Sequence, residues 1–306
     1  MGWWRRRGLC FLVMTSLGTT LRMIKFEHTV FALPFALAGA WLAAGGLPPW
    51  SDLLLIVIAA VAARSAAMAF NRISDRKIDS SNPRTANREL VTGILSMRFA
   101  VLFTLVNSVV FVAVAFLIAP ICGWLSLPVL VVLLGYSKLK RFSWLCHMGL
   151  GLALGLAPAG AWLAINKDFV AGWDTPLWVG LGVLAWVTGF DLLYAIQDME
   201  HDRKEGLFSF PARFGANISR YASMLLYALA LAAWLMVGQR AGLGMLYGIG
   251  LVMVAALLAF EHWLLRGERT ERVPLVFFRV NAWVGVVFFA ALWIDMALTE
   301  GAGNLG

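Results

Sequence analysis

The 306-residue chain is 61% hydrophobic and only 14% charged, with 14 Trp, 20 Phe and a mean hydropathy of +0.79. At about 20 residues per bilayer crossing, this apolar content fills about nine spans, which excludes a soluble α/β enzyme, a disulfide-stapled secreted module and a disordered scaffold. The apolar runs are continuous, not alternating, which excludes an outer-membrane barrel. The net charge of +8 follows membrane topology, as set out below, and is no footprint for nucleic acid.

Residues 1–22 open with Trp3-Trp4-Arg5-Arg6-Arg7 and a short apolar run that imitates a signal peptide, but no small-x-small cleavage site precedes the first span. They are expected to form an N-terminal extension, with Met23 an alternative start. Long apolar runs then predict spans at 28–46, 52–71, 97–117, 119–136, 147–166, 176–196, 220–238, 241–262 and 274–296. The expectation is an all-α polytopic membrane protein: about nine transmembrane helices bundled around a lipid-accessible pocket, one domain over 23–299 and a tail at 300–306. Of the 25 Lys and Arg, 21 lie in the N-terminal segment and in the loops after the second, fourth, sixth and eighth spans. Opposite loops hold only Lys167 and Arg240, while Arg64 and Arg279 lie within spans. The crowded face is therefore expected to be cytoplasmic, with the N-terminus inside, the C-terminus outside and the chain in the inner membrane.

Two acidic constellations follow even-numbered spans on that face. After span two, Asn71, Asp75 and Asp79 recur every four residues, so they share one face if the helix continues beyond the membrane. After span six, Asp191, Tyr194, Asp198 and Asp202 are three or four apart and are expected to form a second stripe. Clustered carboxylates repel each other, so they point to a cation; with only oxygen donors at hand, Mg²⁺ fits best. The plainer alternative for either motif is a solvated helix end whose acids pair with neighbouring Arg and Lys. Arg72, Arg76, Lys77, Arg84 and Arg88 lie beside the first motif, and Lys138, Lys140 and Arg141 in the loop between the two. Acids for a metal beside such cations suit a diphosphate, and apolar walls below suit a lipid tail.

Cys10, Cys122 and Cys146 are scattered and suggest neither disulfide nor zinc. His28, His147, His201 and His262 form no cluster, and His147, opening span five, is expected to satisfy a backbone group. Glycines 149, 151, 155 and 160 on that span are expected to permit close helix packing, or to leave room for a lipid tail. Arg64, inside span two, must face a partner or a polar cavity; seven residues from Asn71, it lies on nearly the same helix face, about 10 Å deeper.

Asn71-x-x-x-Asp75-x-x-x-Asp79 with Arg84-Thr85-Ala86-Asn87-Arg88, and Asp191-x-x-Tyr194-x-x-x-Asp198-x-x-x-Asp202-x-x-x-Gly206, resemble the two aspartate-rich motifs of the UbiA superfamily of intramembrane prenyltransferases. Tyr136-Ser137-x-x-Lys140-Arg141 is similar to that family's middle loop, and the 4-hydroxybenzoate polyprenyltransferase branch is the nearest likeness. The resemblance implies Mg²⁺-dependent transfer from a polyprenyl diphosphate to an aromatic carboxylate, in ubiquinone or menaquinone biosynthesis. Asn71, Asp75 and Asp79 would hold one metal, and Asp198 and Asp202 the other. Arg84, Lys140 and Arg141 would hold the diphosphate and Arg64 the acceptor's carboxylate, while Asp191 or Tyr194 would orient the acceptor or stabilise an allylic cation. One departure stands out: many members have Asp where this chain has Arg72, which resembles the variant group that prenylates 1,4-dihydroxy-6-naphthoate. Other acceptors such as haem or a chlorophyllide, a terpene cyclase or prenyl-diphosphate hydrolase, and a transporter are the competing expectations.

Overall fold

The computed structural model describes residues 17–25, 29–265 and 273–303, with side chains over 17–25, 31–265 and 279–299. Most of the expected extension, Cys10, His28 and the basic residues 266, 269 and 272 lie outside the described residues. The helices are α1 (Thr29–Ala44), α2 (Trp50–Ser81), α3 (Met97–Ile118), α4 (Pro120–Gly135), α5 (Cys146–Asn166), α6 (Thr175–Ala195), α7 (Met199–Lys204), α8 (Phe210–Phe214), α9 (Ala216–Ala241), α10 (Met245–Leu264) and α11 (Val273–Gly303), with 3-10 turns at Tyr136–Arg141 and Ile196–Asp198. Among the described residues there is no strand. Among the described residues eight helices are long and apolar enough to cross a bilayer, and α1 is a shorter apolar ninth, in keeping with the all-α membrane bundle expected.

Helix neighbours close the bundle. α3 packs on α2 and α4, α5 on α1 and α6, α6 on α9, α10 on α11, and α11 returns to α1. Burial separates inner from outer helices: 67% of the apolar window of the α6 segment is buried, against 17% for α3. An apolar helix buried on all sides is central, and one apolar but uncovered presents its side chains to lipid. At the centre, Phe35 of α1 lies 5.2 Å from Trp186, 5.5 Å from Trp234 and 5.1 Å from Phe288, ring centre to ring centre.

Close approach of α5 to α6 depends on glycine. A Cβ on Gly155 would sit 2.6 Å from the Gly180 carbonyl oxygen, and one on Gly180 would sit 2.3 Å from that of Gly155. Gly151 likewise abuts the Leu184 carbonyl at 2.5 Å, whereas Gly160 has nothing within 4 Å. Of the four glycines expected to pack, 151 and 155 meet backbone, 149 meets the Leu139 side chain, and 160 faces open space.

Two polar clusters inside the bundle are fully paired, because water is not there to satisfy them. Buried Glu261 of α10 accepts from Tyr227 Oη at 2.8 Å and from Asn281 Nδ2 at 2.9 Å, and Asn281 Oδ1 accepts from Trp186 Nε1 at 2.9 Å. At the other end of α10, Asp295 of α11 accepts from the backbone N–H groups of Gly244 (2.6 Å), Leu246 (3.1 Å) and Tyr247 (3.1 Å). It thereby satisfies donors that have no partner within their own helix.

Candidate active site

At 32 residues, α2 is about 48 Å long and outreaches a hydrocarbon core of about 30 Å. Its last turns carry Asn71, Asp75 and Asp79 beyond the apolar stretch on one helix face, as their spacing predicts. Asn71 Nδ2 donates to Asp75 Oδ2 at 3.0 Å, and Asp75 and Asp79 are both buried. The helix ends at Asn82-Pro83, where the proline disfavours helical geometry in the residue before it; Asn82 is extended, with φ −96° and ψ 116°. Its Oδ1 accepts from the backbone N–H of Arg84 at 3.0 Å, turning the chain back over the acids.

That turn delivers Arg84 to the second motif. Its Nε donates to Asp198 Oδ1 at 2.9 Å, its Nη2 pairs with Asp198 Oδ2, and its Nη1 donates to Tyr194 Oη at 2.8 Å. Asn82 Nδ2 also donates to Asp198 Oδ1 at 3.0 Å, so two residues beyond α2 bind the central acid of the second motif. Burial works against the charge on Arg84, but the hydrogen bond to Asp198 and the field of Tyr194 outweigh it and raise the guanidinium pKa above its ordinary value. Arg88 Nη1 donates to Asp79 Oδ2 at 2.6 Å. From the middle loop, Arg141 Nη2 donates to the Ser74 carbonyl at 2.5 Å and lies 3.8 Å from Asp75 Oδ1. The Lys140 charge is near enough to act on Asp75, Asp198 and Asp202.

The second stripe departs from the expected helix. α6 stops at Ala195, a 3-10 turn covers Ile196–Asp198, and α7 resumes at Met199. Three residues at about 120° each, in place of about 100°, rotate the register by about 60°. Asp198 and Asp202 are thereby turned off the line of Asp191 and Tyr194. Asp202 is buried, and its carbonyl accepts from Leu207 N at 2.8 Å. Asp191 instead meets His147 Nδ1 through Oδ2 at 2.7 Å, while His147 Nε2 accepts from Phe210 N at 3.3 Å. The expected backbone partner of His147 is thus present, but the tie to Asp191 is not visible in the sequence; its only trace there is a polar side chain at the start of one apolar run and another near the end of the next.

Arg64 of α2 is half-buried; its Nη2 donates to the Lys25 carbonyl at 3.4 Å, and its Nε is buried with no hydrogen-bond partner. Arg72, the departure from the family pattern, turns away from the acids, and its Nε donates to the Met23 carbonyl at 3.0 Å.

The donor set Asn71, Asp75, Asp79, Asp198 and Asp202 offers oxygen ligands only, as a hard cation requires. Asp75 Oδ1 is buried without a hydrogen-bond partner, which is an unmet acceptor suited to a metal. Among the described residues no three His, Cys, Asp or Glu side chains form a ready cage; Mg²⁺ is usually held by one or two carboxylates together with substrate phosphates, so these residues fit it.

Residues 32–294 match the UbiA prenyltransferase family. A relative from Saccharophagus degradans described as 4-hydroxybenzoate octaprenyltransferase is 34% identical over 264 residues, covering 85% of each chain. The apo structure of a UbiA homolog from Aeropyrum pernix is 34% identical, covers 88% of this chain and 98% of its own, and superposes with a TM-score of 0.79. A UbiA homolog from Archaeoglobus fulgidus, solved with DMAPP and Mg²⁺, shares the fold at 19% identity and a TM-score of 0.68, covering 91% and 99% of the two chains. The chain belongs to the UbiA prenyltransferase family, as a prenyl-transferring enzyme integral to the membrane.

Proposed function

We propose that the protein transfers a polyprenyl group from a polyprenyl diphosphate to an aromatic acid of the 4-hydroxybenzoate kind, with Mg²⁺, at the cytoplasmic face of the inner membrane, as a step of quinone biosynthesis. The observation that carries this reading is Arg84 joined to Asp198 and Tyr194: residues 114 and 110 positions apart meet at one end of the bundle, acids and arginines interleaved. The relative's printed activity and the DMAPP and Mg²⁺ of the A. fulgidus structure support it.

In this reading Asn71, Asp75 and Asp79 hold one Mg²⁺, and Asp198 and Asp202 the other. When bound, Mg²⁺ neutralises diphosphate charge and so favours its departure. Arg84, Lys140 and Arg141 donate hydrogen bonds to the same oxygens, where donors aimed at developing charge lower a barrier most. The bond between the allylic carbon and the diphosphate oxygen breaks, and the electron pair leaves with the diphosphate. The ring carbon ortho to the acceptor's hydroxyl then bonds to the allylic carbon and loses its proton, restoring aromaticity. Arg64, deeper in α2, grips the acceptor's carboxylate, and Asp191 and Tyr194 orient the ring or stabilise the cation. The apolar wall excludes water that would otherwise quench the cation.

Arg72 favours a second acceptor, 1,4-dihydroxy-6-naphthoate, which also carries a carboxylate for Arg64. Purified protein incubated with Mg²⁺, a labelled polyprenyl diphosphate, both acids and an uncarboxylated phenol tests the reading. Prenylated aromatic acid is expected. Release of diphosphate with only prenyl alcohol or cyclised hydrocarbon as product would overturn it.

A further inference from the structure

His147 takes no step in the reaction above, yet its hydrogen bonds fix a tautomer. It opens α5 and is 5% exposed. Its Nε2 faces the backbone nitrogen of Phe210 at 3.3 Å. A backbone N–H can only donate, so Nε2 accepts, and the ring proton sits on Nδ1, donated to Asp191 Oδ2 at 2.7 Å. The two side chains differ in exposure: 6% for the imidazole and 22% for the carboxylate. The carboxylate is therefore the member that a ligand reaches, and the imidazole stands behind it.

The segment on the far side of His147 is itself tied to the middle loop. Phe208 N donates to the Lys140 carbonyl at 2.7 Å, and Cys146 Sγ lies 3.5 Å from the Phe208 carbonyl. Trp144 meets Phe210 and Phe214 edge-on at 5.7 and 5.3 Å. One imidazole therefore joins a carboxylate on α6 to the segment that follows the second motif, and through it to the backbone of Lys140.

From this geometry we propose that His147 is a positioning residue for prenyl transfer, setting the Asp191 carboxylate and locking it to the placement of residues 207–210. The proposal rests on the reading of Asp191 as the group that meets the acceptor or the cation. A carboxylate held by one donor on one oxygen keeps one rotamer, and partners that orient a functional group in this way cost about 10–100-fold when removed.

Steady-state kinetics of His147→Ala, His147→Asn, His147→Gln, Asp191→Asn and the double variant His147→Ala/Asp191→Asn test it, each with a thermal unfolding profile in detergent. Asn places an amide nitrogen near the position of Nδ1 and keeps the donor to Asp191; Gln reaches toward Phe210 and does not. The expected result is a fall of about 10–100-fold in kcat/KM for the acceptor in His147→Ala, with KM for the prenyl diphosphate unchanged. Recovery is expected in Asn beyond that in Gln, and the double variant should be no worse than its worse parent. Multiplicative losses in the double variant, or equal losses in Asn and Gln, would overturn the proposal. Should His147→Ala not fold, the Asn and Gln pair decides alone.

A readout independent of turnover is ¹⁵N NMR of histidine-labelled protein. One neutral imidazole with a protonated Nδ1 and a bare Nε2 is expected, lost in His147→Asn and shifted in Asp191→Asn. Its absence in an enzyme that transfers prenyl groups would overturn the tautomer and the proposal, leaving the function intact. Its presence in a protein that transfers none would sink the functional reading and the positioning role together.

Discussion

Arg84 is the residue on which the two halves of the site meet, and its fork matters as much as its charge. A guanidinium presents two parallel donors to a carboxylate or phosphate, whereas an ammonium is a point charge. Arg84→Lys should therefore lower kcat/KM for the prenyl diphosphate by about tenfold, and Arg84→Ala by about 10²–10³-fold, measured at saturating acceptor. Asp75→Asn and Asp198→Asn should abolish turnover at any Mg²⁺ concentration while the protein still inserts, whereas exposed Glu200→Gln should turn over normally. Normal activity in Asp198→Asn would remove the two-metal reading. Arg64→Ala should raise KM for carboxylated acceptors steeply and for an uncarboxylated phenol far less; equal losses would assign Arg64 to the scaffold. The acids were legible in the sequence because a four-residue recurrence past an apolar run has few other uses. Their partners were not: the sequence sets several cations beside the acids without saying that Arg84 crosses to Asp198, Arg88 turns back to Asp79, and Arg72 leaves for Met23.

At the scale of elements, the apolar runs located most membrane helices within a few residues, because a bilayer imposes length and composition together, although α2 runs ten residues past its apolar run and α11 seven. The break after α6 escaped, since nothing in Ala195-Ile196-Gln197-Asp198 forbids a regular helix and only packing settles the tighter turn. Glycines on α5 were legible as small residues but not by partner, because Gly180 stands in another span and no local signal pairs it with Gly155. With each would-be Cβ aimed at the other's carbonyl, Gly180→Leu should destabilise the folded protein by about 1–3 kcal/mol or more. Gly160→Ala, in open space inside a helix, should leave the unfolding temperature unchanged or slightly raised. Thermal unfolding in one detergent compares the two, and a silent Gly180→Leu would mean that α5 and α6 do not cross at that point.

At the scale of the molecule, the arginines give the acids partners of their own. Asp79 and Asp198 are each paired with a guanidinium, so like-charge repulsion across the site is already offset. Chelation of divalent metal should abolish prenyl transfer while leaving the unfolding temperature within a degree or two; a large fall would show that the fold itself depends on metal. The distribution of basic residues makes a second claim at this scale. A reporter fused after Gly306 should be active only in its periplasmic form, and a cytoplasmic signal would mean one crossing fewer.

Asp295 has a consequence for how the chain is made. The N–H groups that open α10 are satisfied by a residue about fifty positions further along, on the last helix. As a nascent chain leaves the ribosome, α10 enters the bilayer before its cap has been synthesised. Until α11 arrives, that helix end must draw on interfacial water or lipid headgroups for its hydrogen bonds. Its final depth is therefore fixed only by the last segment to be inserted. A chain stopped short of Asp295 should carry α10 in an unsettled register that proteases near the membrane surface can reach, and Asp295→Asn, which keeps the shape but weakens the acceptor, should lengthen the interval during which newly made protein remains open to them.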